Sequence, residues 1–169
     1  MIEIPDNLET LRLKLRMFDE SDWQPLCDLF QDEESVRYTI KTPLENWQTW
    51  RMLACYVGRW RIRGYGPYAV IERNGGELVG VVGLWFPGGW PEPELKWALR
   101  KRFWGRGYAT EAAAEVRDMV KRDLKWKRLI SLIFHGNTRS MAVAQRLEAR
   151  LEKTIPFREG FADIFVHNV

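Results

Sequence analysis

Near its start the chain alternates apolar and polar residues, from Leu11 to Met17, with Arg and Lys at the intervening positions. A period of two residues is typical of a β-strand that buries one face. The same alternation returns over Glu94–Arg100. Two apolar runs joined by the turn signal Arg73-Asn-Gly-Gly76 predict a hairpin, and two later runs predict a buried strand and a strand or hairpin. These four runs are Tyr68–Glu72, Leu78–Phe86, Arg128–Phe134 and Phe157–Val166.

Four stretches place apolar residues three or four positions apart, which is the spacing of a helix with one buried face. Asp19 or Ser21 can cap the first of these helices. The segment Thr42-Pro43-Leu44-Glu45 has the form of a capping box with proline at the first helical position, so the second helix is predicted to start there. The predicted helices cover about Trp23–Phe30, Pro43–Trp60, Tyr108–Val120 and Thr138–Leu147.

The order of these elements predicts an α/β, or layered α+β, fold with one mixed sheet. Strands dominate the first half, and a β-loop-α-β-α-β order follows. No internal repeat or low-complexity segment divides the chain, and the Pro- and Gly-rich stretch Pro87–Pro93 is interpreted as a loop. Residues 1–169 are therefore predicted to form a single domain.

Composition narrows the classes of function. A net charge of +3 is small for a nucleic-acid-binding protein, which usually presents a dense basic face. Two Cys and two His residues favour neither a disulfide framework nor a metal site. No apolar run reaches the roughly 18 residues of a membrane span, and the N-terminus lacks the pattern of a signal peptide. We expect a cytoplasmic protein that binds neither nucleic acid nor membrane.

The strongest chemical signal is a pair of glycines, Gly105 and Gly107, between a predicted strand and a predicted helix. Glycine lets the backbone turn sharply and expose its N–H groups. The first N–H groups of a helix, together with the positive end of its dipole, bind anions. Four cations flank the turn with no acid among them: Arg100, Lys101, Arg102 and Arg106. The stretch is predicted to hold a phosphorylated ligand, although it matches neither a dinucleotide-binding fingerprint nor a nucleotide P-loop.

The motif Arg102-x-x-Gly105-x-Gly107 resembles the R/Q-x-x-G-x-G/A loop of the GCN5-related N-acetyltransferase (GNAT) family, which there wraps the pyrophosphate of coenzyme A. The longer stretch Phe103–Ala112 is similar to a subgroup, the RimJ/RimL-like enzymes that acetylate N-termini of ribosomal proteins. That subgroup's N-terminal strand and second-helix start are matched by Leu8–Arg16 and Asn137-x-x-Ser140. The resemblance implies the GNAT-like acyl-CoA N-acyltransferase fold, a single mixed, mostly antiparallel, twisted sheet flanked by helices.

The resemblance also assigns roles to particular residues. Glu94 is expected to be the base that removes a proton from the attacking amine, the alternative being a surface charge in the preceding loop. Ser140 is expected to assist the departing thiolate and Asn137 to hold the pantetheine arm, or else both are helix caps. Backbone N–H groups of Leu99–Lys101 would polarise the acetyl carbonyl. The residues expected to bind acetyl-CoA are Leu99, Arg100, Lys101, Arg102, Gly105, Arg106, Gly107, Tyr108, Ala109, Thr110, Asn137 and Ser140.

The chain departs from the subgroup's pattern at three positions. Glu148 and Ala149 stand where the subgroup usually has Gly-Phe, so the second helix lacks its glycine cap and continues or turns differently. Lys96 stands where relatives often have glycine. Its long cationic side chain would meet an acidic acceptor or lie on the solvent face.

Together these features predict an acetyltransferase that moves the acetyl group of acetyl-CoA to a primary amine, by direct attack in a ternary complex. The acceptor is a protein N-terminus or a small-molecule amine, no metal takes part, and a homodimer is left open. The alternative is a catalytically silent acyl-CoA-binding or sensor protein of the same fold. It would keep the glycine loop but lack a working Glu94.

Overall fold

The computed structural model describes residues 4–169, so residues 1–3 of the predicted domain lie outside the described part. Within residues 4–169, eight strands form one sheet. The strands are β1 (Asn7–Glu9), β2 (Leu13–Arg16), β3 (Pro67–Glu72), β4 (Leu78–Trp85), β5 (Glu94–Leu99), β6 (Leu129–Phe134), β7 (Arg150–Phe157) and β8 (Gly160–His167). The α-helices are α1 (Trp23–Phe30), α2 (Glu33–Val36), α3 (Asn46–Arg63), α4 (Tyr108–Met119) and α5 (Thr138–Arg146).

The strands lie in the order β1-β2-β3-β4-β5-β6-β8-β7, and every neighbouring pair is antiparallel except β5 and β6. The predicted single mixed, mostly antiparallel sheet is confirmed. The parallel pair comes from a crossover through the glycine loop and α4, the connection that parallel strands require. The sheet thus has one parallel junction, near its middle.

At that junction β5 and β6 pair only at their beginnings, through Glu94 and Ile130. Beyond this point the two strands separate, and side chains replace the missing ladder. The hydroxyl of Ser131 donates to the carbonyl of Leu95 at 2.6 Å, and the backbone N–H of Leu132 donates to the Glu94 carboxylate at 3.0 Å. The sheet therefore contains an opening that is lined by polar groups.

Helices cover both faces of the sheet, as the apolar spacing predicts. Ala112, Ala113, Val116 and Met119 of α4 are buried against one face. The helices α1 and α3 cover the other face through a second apolar cluster, which includes Leu26, Phe30, Leu53 and Tyr56. Burying apolar side chains on both faces is the main term that stabilises a layered fold of this kind.

The start of α3 corrects one prediction. The helix begins at Asn46, not at Pro43, and its capping box is Glu45 with Gln48, whose side chain accepts the Glu45 N–H at 2.8 Å. The backbone N–H of Leu44 donates to the carbonyl of Phe30 at the end of α1, at 2.9 Å. This contact ties the segment before Glu45 to the end of α1.

Two strands were not predicted as separate elements, β7 and β1, the latter because Leu8–Arg16 was matched to one N-terminal strand. Every residue of β7 from Arg150 to Thr154 is exposed, so the strand carries no apolar alternation, and its place comes from its pairing with β8. The short β1 likewise rests on its pairing with β2. The turn between β1 and β2 also leaves Leu11 exposed, although the alternation grouped it with the buried Leu13 and Leu15.

The end of α5 shows how the chain manages without the expected glycine. The helix stops at Arg146, and Glu148 takes a left-handed conformation, with φ at +60°. The N–H of Ala149 then donates to the carbonyl of Ala144 at 3.0 Å. The helix thus turns where glycine normally turns it, with a glutamate in a conformation that side chains disfavour.

Candidate active site

The glycine loop lies between the end of β5 and the start of α4, as the sequence predicts. Gly105 and Gly107 have φ values of +74° and +80°, in the left-handed region where glycine has no steric penalty. Among residues 4–169, no acceptor receives a hydrogen bond from the backbone N–H groups of residues 105 to 110. Six consecutive donors at a helix start form a site for the oxygens of a phosphate or pyrophosphate.

Arg12, in the turn that precedes β2, holds this loop in place. Its guanidinium donates to the carbonyl of Arg106 at 2.9 Å and to the Glu111 carboxylate at 2.7 Å, and it lies 4.6 Å from the centre of the Tyr108 ring. Burial raises the pKa of Glu111, but hydrogen bonds from Thr10 and Arg12 outweigh it and hold the pKa below its usual value. Glu111 is therefore a charged anchor at the first turn of α4. Sequence reasoning missed Arg12, because its role depends on a contact across 94 positions.

The four cations near the loop differ in their surroundings. Arg100 is buried, with its guanidinium on Asp28 and the Leu78 carbonyl, and its backbone N–H donates to Val79. It therefore points away from the loop, and its N–H is not free to polarise an acetyl carbonyl. No acid stands among these cations in the sequence, but acids from distant elements reach all four of them. The remaining pairs are Lys101 with Glu34, Arg102 with Glu77 and Arg106 with Glu72, at 2.8, 2.8 and 3.9 Å.

A cleft of about 1170 Å³ runs from the glycine loop towards the opening between β5 and β6. Arg100, Lys101 and Arg102 do not line it. The structure brings the other nine residues of the predicted acetyl-CoA set to its wall. They are Leu99, Gly105, Arg106, Gly107, Tyr108, Ala109, Thr110, Asn137 and Ser140.

A second, smaller cavity of about 310 Å³ lies at the opening itself and contains Glu94. It shares six lining residues with the large cleft, so the two spaces adjoin each other. The shared residues are Tyr38, Thr39, Trp97, Ala98, Asn137 and Ser140. A ligand seated in the cleft can therefore present one end to Glu94.

Glu94 is not a surface charge. It is 5% exposed, and its carboxylate accepts hydrogen bonds from the Trp90 indole at 2.9 Å and from the Leu132 N–H at 3.0 Å. Burial raises the pKa of Glu94 to about 7, against the opposing effects of the Leu132 hydrogen bond, the Lys96 charge and the Trp90 hydrogen bond. The group is thus poised to gain and lose a proton near neutral pH.

Ser140 and Asn137 lie where α5 meets both cavities. The Asn137 side chain accepts the Ser140 N–H at 3.2 Å, so Asn137 caps the helix. The Ser140 hydroxyl faces the cleft and accepts a hydrogen bond from the Trp97 indole at 3.3 Å. Because the indole occupies only an acceptor site of the hydroxyl, its proton remains available to a ligand atom.

A buried histidine, His167, forms a hydrogen bond with Ser131 beside the opening. The Ser131 hydroxyl donates to Leu95, so it accepts from Nε2 of His167, which lies 2.8 Å away. Burial lowers the pKa of His167 to about 4, so the ring is neutral at physiological pH. This chain of hydrogen bonds links β5, β6 and β8 and fixes the edge of the opening beside Trp97, which packs edge-on against the same ring.

A family of known proteins accounts for this combination of sheet, loop and cleft. Residues 12–150 match the acetyltransferase (GNAT) domain. The chain belongs to the GNAT acetyltransferase family. The family predicted from the sequence is confirmed, and this membership supports acetyl transfer from acetyl-CoA in general terms.

Individual relatives agree with this assignment. The chain is 28% identical over 162 residues to the uncharacterised protein YkkB of Bacillus subtilis. The aligned region covers 88% of this chain and 87% of YkkB. An acetyltransferase structure from Agrobacterium tumefaciens is 29% identical, with a TM-score of 0.87 over 98% of this chain and 95% of the other. RimL, a ribosomal-protein α-N-acetyltransferase solved with coenzyme A, is 20% identical, with a TM-score of 0.77 over 97% and 96% of the two chains. The RimL-like subgroup named by the sequence motifs is thus represented among the structural neighbours.

Two further observations concern ligands and location. Within residues 4–169, no group of three or more His, Cys, Asp or Glu side chains is arranged to hold a metal ion. None of the helices in that part of the chain is long and apolar enough to cross a membrane.

Proposed function

We propose that the protein transfers the acetyl group of acetyl-CoA to a primary amine by direct attack in a ternary complex. The observation that carries the proposal is the position of Glu94. This buried carboxylate, with a pKa near 7, lies in a cavity that adjoins the cleft beside the glycine loop. The proposed acceptor is a small-molecule amine or a protein N-terminus, and the cytoplasmic location remains a prediction from the sequence.

The residues of the cleft suit acetyl-CoA. The unpartnered N–H groups of residues 105–110, counted within the described chain, offer donors for a pyrophosphate, and Arg106 adds a cation at the same place. From there the cleft leads along β5 to the opening beside Glu94. Acetyl-CoA supplies an activated acetyl thioester, and the chain supplies the groups that hold it and move protons.

The proposed role of Glu94 follows from the protonation state that the reaction requires. An amine attacks a thioester only when its nitrogen carries a lone pair, and forming the amide bond releases a proton. Glu94 takes that proton, directly or through one water. The C–N bond forms, the C–S bond breaks, and the sulfur leaves as a thiolate that is finally protonated to the thiol. A base with a pKa near 7 is half ionised at neutral pH, which suits this cycle.

Ser140 is proposed to stabilise the leaving sulfur. Its hydroxyl faces the shared part of the two cavities, and Trp97 holds its oxygen in place from the other side. A hydrogen bond from this hydroxyl would offset the negative charge that grows on the sulfur as the C–S bond breaks. Asn137 fixes the turn that carries Ser140.

Thiol release tests the proposal. Purified protein is mixed with acetyl-CoA and, separately, with peptides, polyamines, amino sugars and amino acids, and free thiol and acetylated product are both measured. Acceptor-dependent thiol release that matches the amount of acetylated product is expected. Tight acetyl-CoA binding with no acceptor-dependent release across the whole panel would favour the alternative, a non-catalytic acyl-CoA-binding or sensor protein.

A further inference from the structure

The acceptor cavity has an unusual balance of charge. Three of its lining residues are charged, namely Glu94, Lys96 and Arg158. Lys96 and Arg158 form no ion pair with any carboxylate among residues 4–169. Glu94 is committed to Trp90 and Leu132 through its two oxygens. The cavity thus contains two cations that form no ion pair in the described chain, although the charges of both act on Glu94 from a longer distance.

Lys96 occupies an aromatic box. Its ammonium nitrogen lies 4.6 Å from the centre of the Trp85 ring, 5.2 Å from the centre of the Tyr56 ring and 3.4 Å from the Tyr56 hydroxyl. Trp85 and Tyr56 are themselves buried and meet edge to face. The aromatic faces that could hold a substrate's ammonium group are therefore already occupied by the protein's own cation.

A row of aromatic rings joins Lys96 to Glu94 and to Arg158. Trp85 meets Trp90 edge to face at 6.4 Å, Trp90 donates to Glu94, and the Arg158 guanidinium lies 4.9 Å from the Trp90 ring. Glu94 and Lys96 are alternate residues of β5, so their side chains leave the same face of the sheet, with Cα atoms about 6.6 Å apart. One small cavity thus presents Lys96 at one end and, on either side of Trp90, Glu94 and Arg158 at the other.

We propose that the acceptor is a compact primary amine that carries an anionic group, with Lys96 binding the anion while the amine faces Glu94. The inference rests on the proposed function, since it takes Glu94 as the base. A cation that is partly removed from water gains most from a partner of opposite charge. A polyamine would place its second ammonium group beside Tyr56 and Trp85, where the Lys96 ammonium already lies, so like-charge repulsion excludes it. The volume of about 310 Å³ suits an acceptor of few atoms.

The test compares three amines of equal chain length that differ in their far end: γ-aminobutyrate, n-butylamine and putrescine. Binding to the protein saturated with coenzyme A is measured by calorimetry, so that no turnover occurs, and acetylation is measured separately with acetyl-CoA. We expect γ-aminobutyrate to bind at least about tenfold more tightly than n-butylamine, and putrescine to bind most weakly. O-Phosphoethanolamine in place of γ-aminobutyrate shows whether a phosphate or a carboxylate is the better anion.

Substitutions at Lys96 link the preference to this residue. Lys96→Met, which removes the charge and shortens the side chain by one atom, should reduce the ratio of the affinities for γ-aminobutyrate and n-butylamine about tenfold, while Lys96→Arg should retain most of it. Lys14→Met, the same change at an exposed position of β2, should leave the ratio unchanged. Affinity for coenzyme A, measured in each variant, confirms that the cleft is intact.

The outcomes separate the two claims. Equal or tighter binding of n-butylamine or putrescine, or no binding by any of these amines, would overturn the inference about the anion. A preference for the anionic amines without acetylation of any of them would support anion binding at Lys96 and would overturn the proposed function, and with it the role of these amines as acceptors. An anion preference that survives Lys96→Met unchanged would also overturn the assignment to Lys96.

Discussion

The Glu94 carboxylate accepts a hydrogen bond from the backbone N–H of Leu132 at 3.0 Å, across the opening between β5 and β6. In a regular sheet that N–H would donate to a backbone carbonyl. Here the strands have separated after a single pairing, and a side chain takes the carbonyl's place. This one hydrogen bond therefore gives the Leu132 N–H an acceptor within the opening and fixes the proposed base at the edge of that opening.

The raised pKa of Glu94 predicts a pH dependence of stability. Between about pH 4.5 and pH 7 the folded protein keeps a proton on Glu94 that the unfolded chain has released. Raising the pH through this window therefore lowers the free energy of unfolding, and the loss is complete above pH 7. In the wild type, the free energy of unfolding measured with urea should fall between pH 4.5 and pH 8 by an amount on the order of 3 kcal/mol that comes from Glu94. Glu94→Gln should lack this part of the fall.

A suitable control for that comparison is Glu92→Gln, which changes a neighbouring carboxylate that pairs with Arg128 at the surface. In Glu94→Gln the side-chain oxygen can accept from only one of the two donors, Trp90 or Leu132. The lost hydrogen bond lowers the free energy of unfolding by an amount that does not vary with pH. An identical pH slope in wild type and Glu94→Gln would show that Glu94 does not titrate as described.

The pairing of the loop cations predicts unequal effects on acetyl-CoA binding. Arg106 lines the cleft, and its nearest acid, Glu72, lies at 3.9 Å, whereas Arg102 is held by Glu77 at 2.8 Å outside the cleft. Arg106→Ala should therefore weaken acetyl-CoA binding several-fold, and Arg102→Ala should change it less than about twofold. Calorimetric titration of both variants measures this. A larger loss from Arg102→Ala would mean that the bound state rearranges the loop.

Arg12 should matter for binding although it is remote from the loop in sequence. Arg12→Met removes the hydrogen bonds to Arg106 and Glu111 that hold the loop against α4, so acetyl-CoA affinity should fall several-fold. Arg122→Met, which removes an exposed charge beyond the end of α4, is the matched control. If both variants bind acetyl-CoA equally well, Arg12 does not position the loop.

The strained turn after α5 predicts a stabilising substitution. Glu148 is exposed and left-handed, so Glu148→Gly should relieve backbone strain and raise the free energy of unfolding by about 1 kcal/mol. Glu148→Ala removes the same side-chain charge but keeps the strain, and it should give no such gain. Chemical denaturation of the wild type and the two variants measures their free energies of unfolding. Equal values for Glu148→Gly and Glu148→Ala would show that the left-handed conformation at position 148 is not strained.

The sequence is most informative where local chemistry sets the structure. The turn at Gly105 and Gly107 needs glycine whatever surrounds it, and the start of α4 follows from it. The alternation of β5 also predicted the strand that carries Glu94. These local features, together with the family motif, led to the correct fold and family.

Features that depend on distant partners escaped prediction. The ion pair of Arg100 with Asp28 joins residues 72 positions apart, and it turns a cation expected at the ligand away from it. The strand β7 has no apolar pattern of its own and exists through its pairing with β8. The sequence offered Lys96 as a departure but could not show the aromatic box around it, because Tyr56 and Trp85 come from other elements.

The pH dependence of kcat/KM in wild type and Glu94→Gln, with an acceptor identified by thiol release, tests the central claim most directly. We expect the wild-type value to rise with pH through an ionisation near 7 that the variant lacks. Turnover in Glu94→Gln should fall by about 10²–10⁴-fold while acetyl-CoA affinity stays close to that of wild type. Wild-type turnover and an unchanged pH profile in Glu94→Gln would show that Glu94 is not the base.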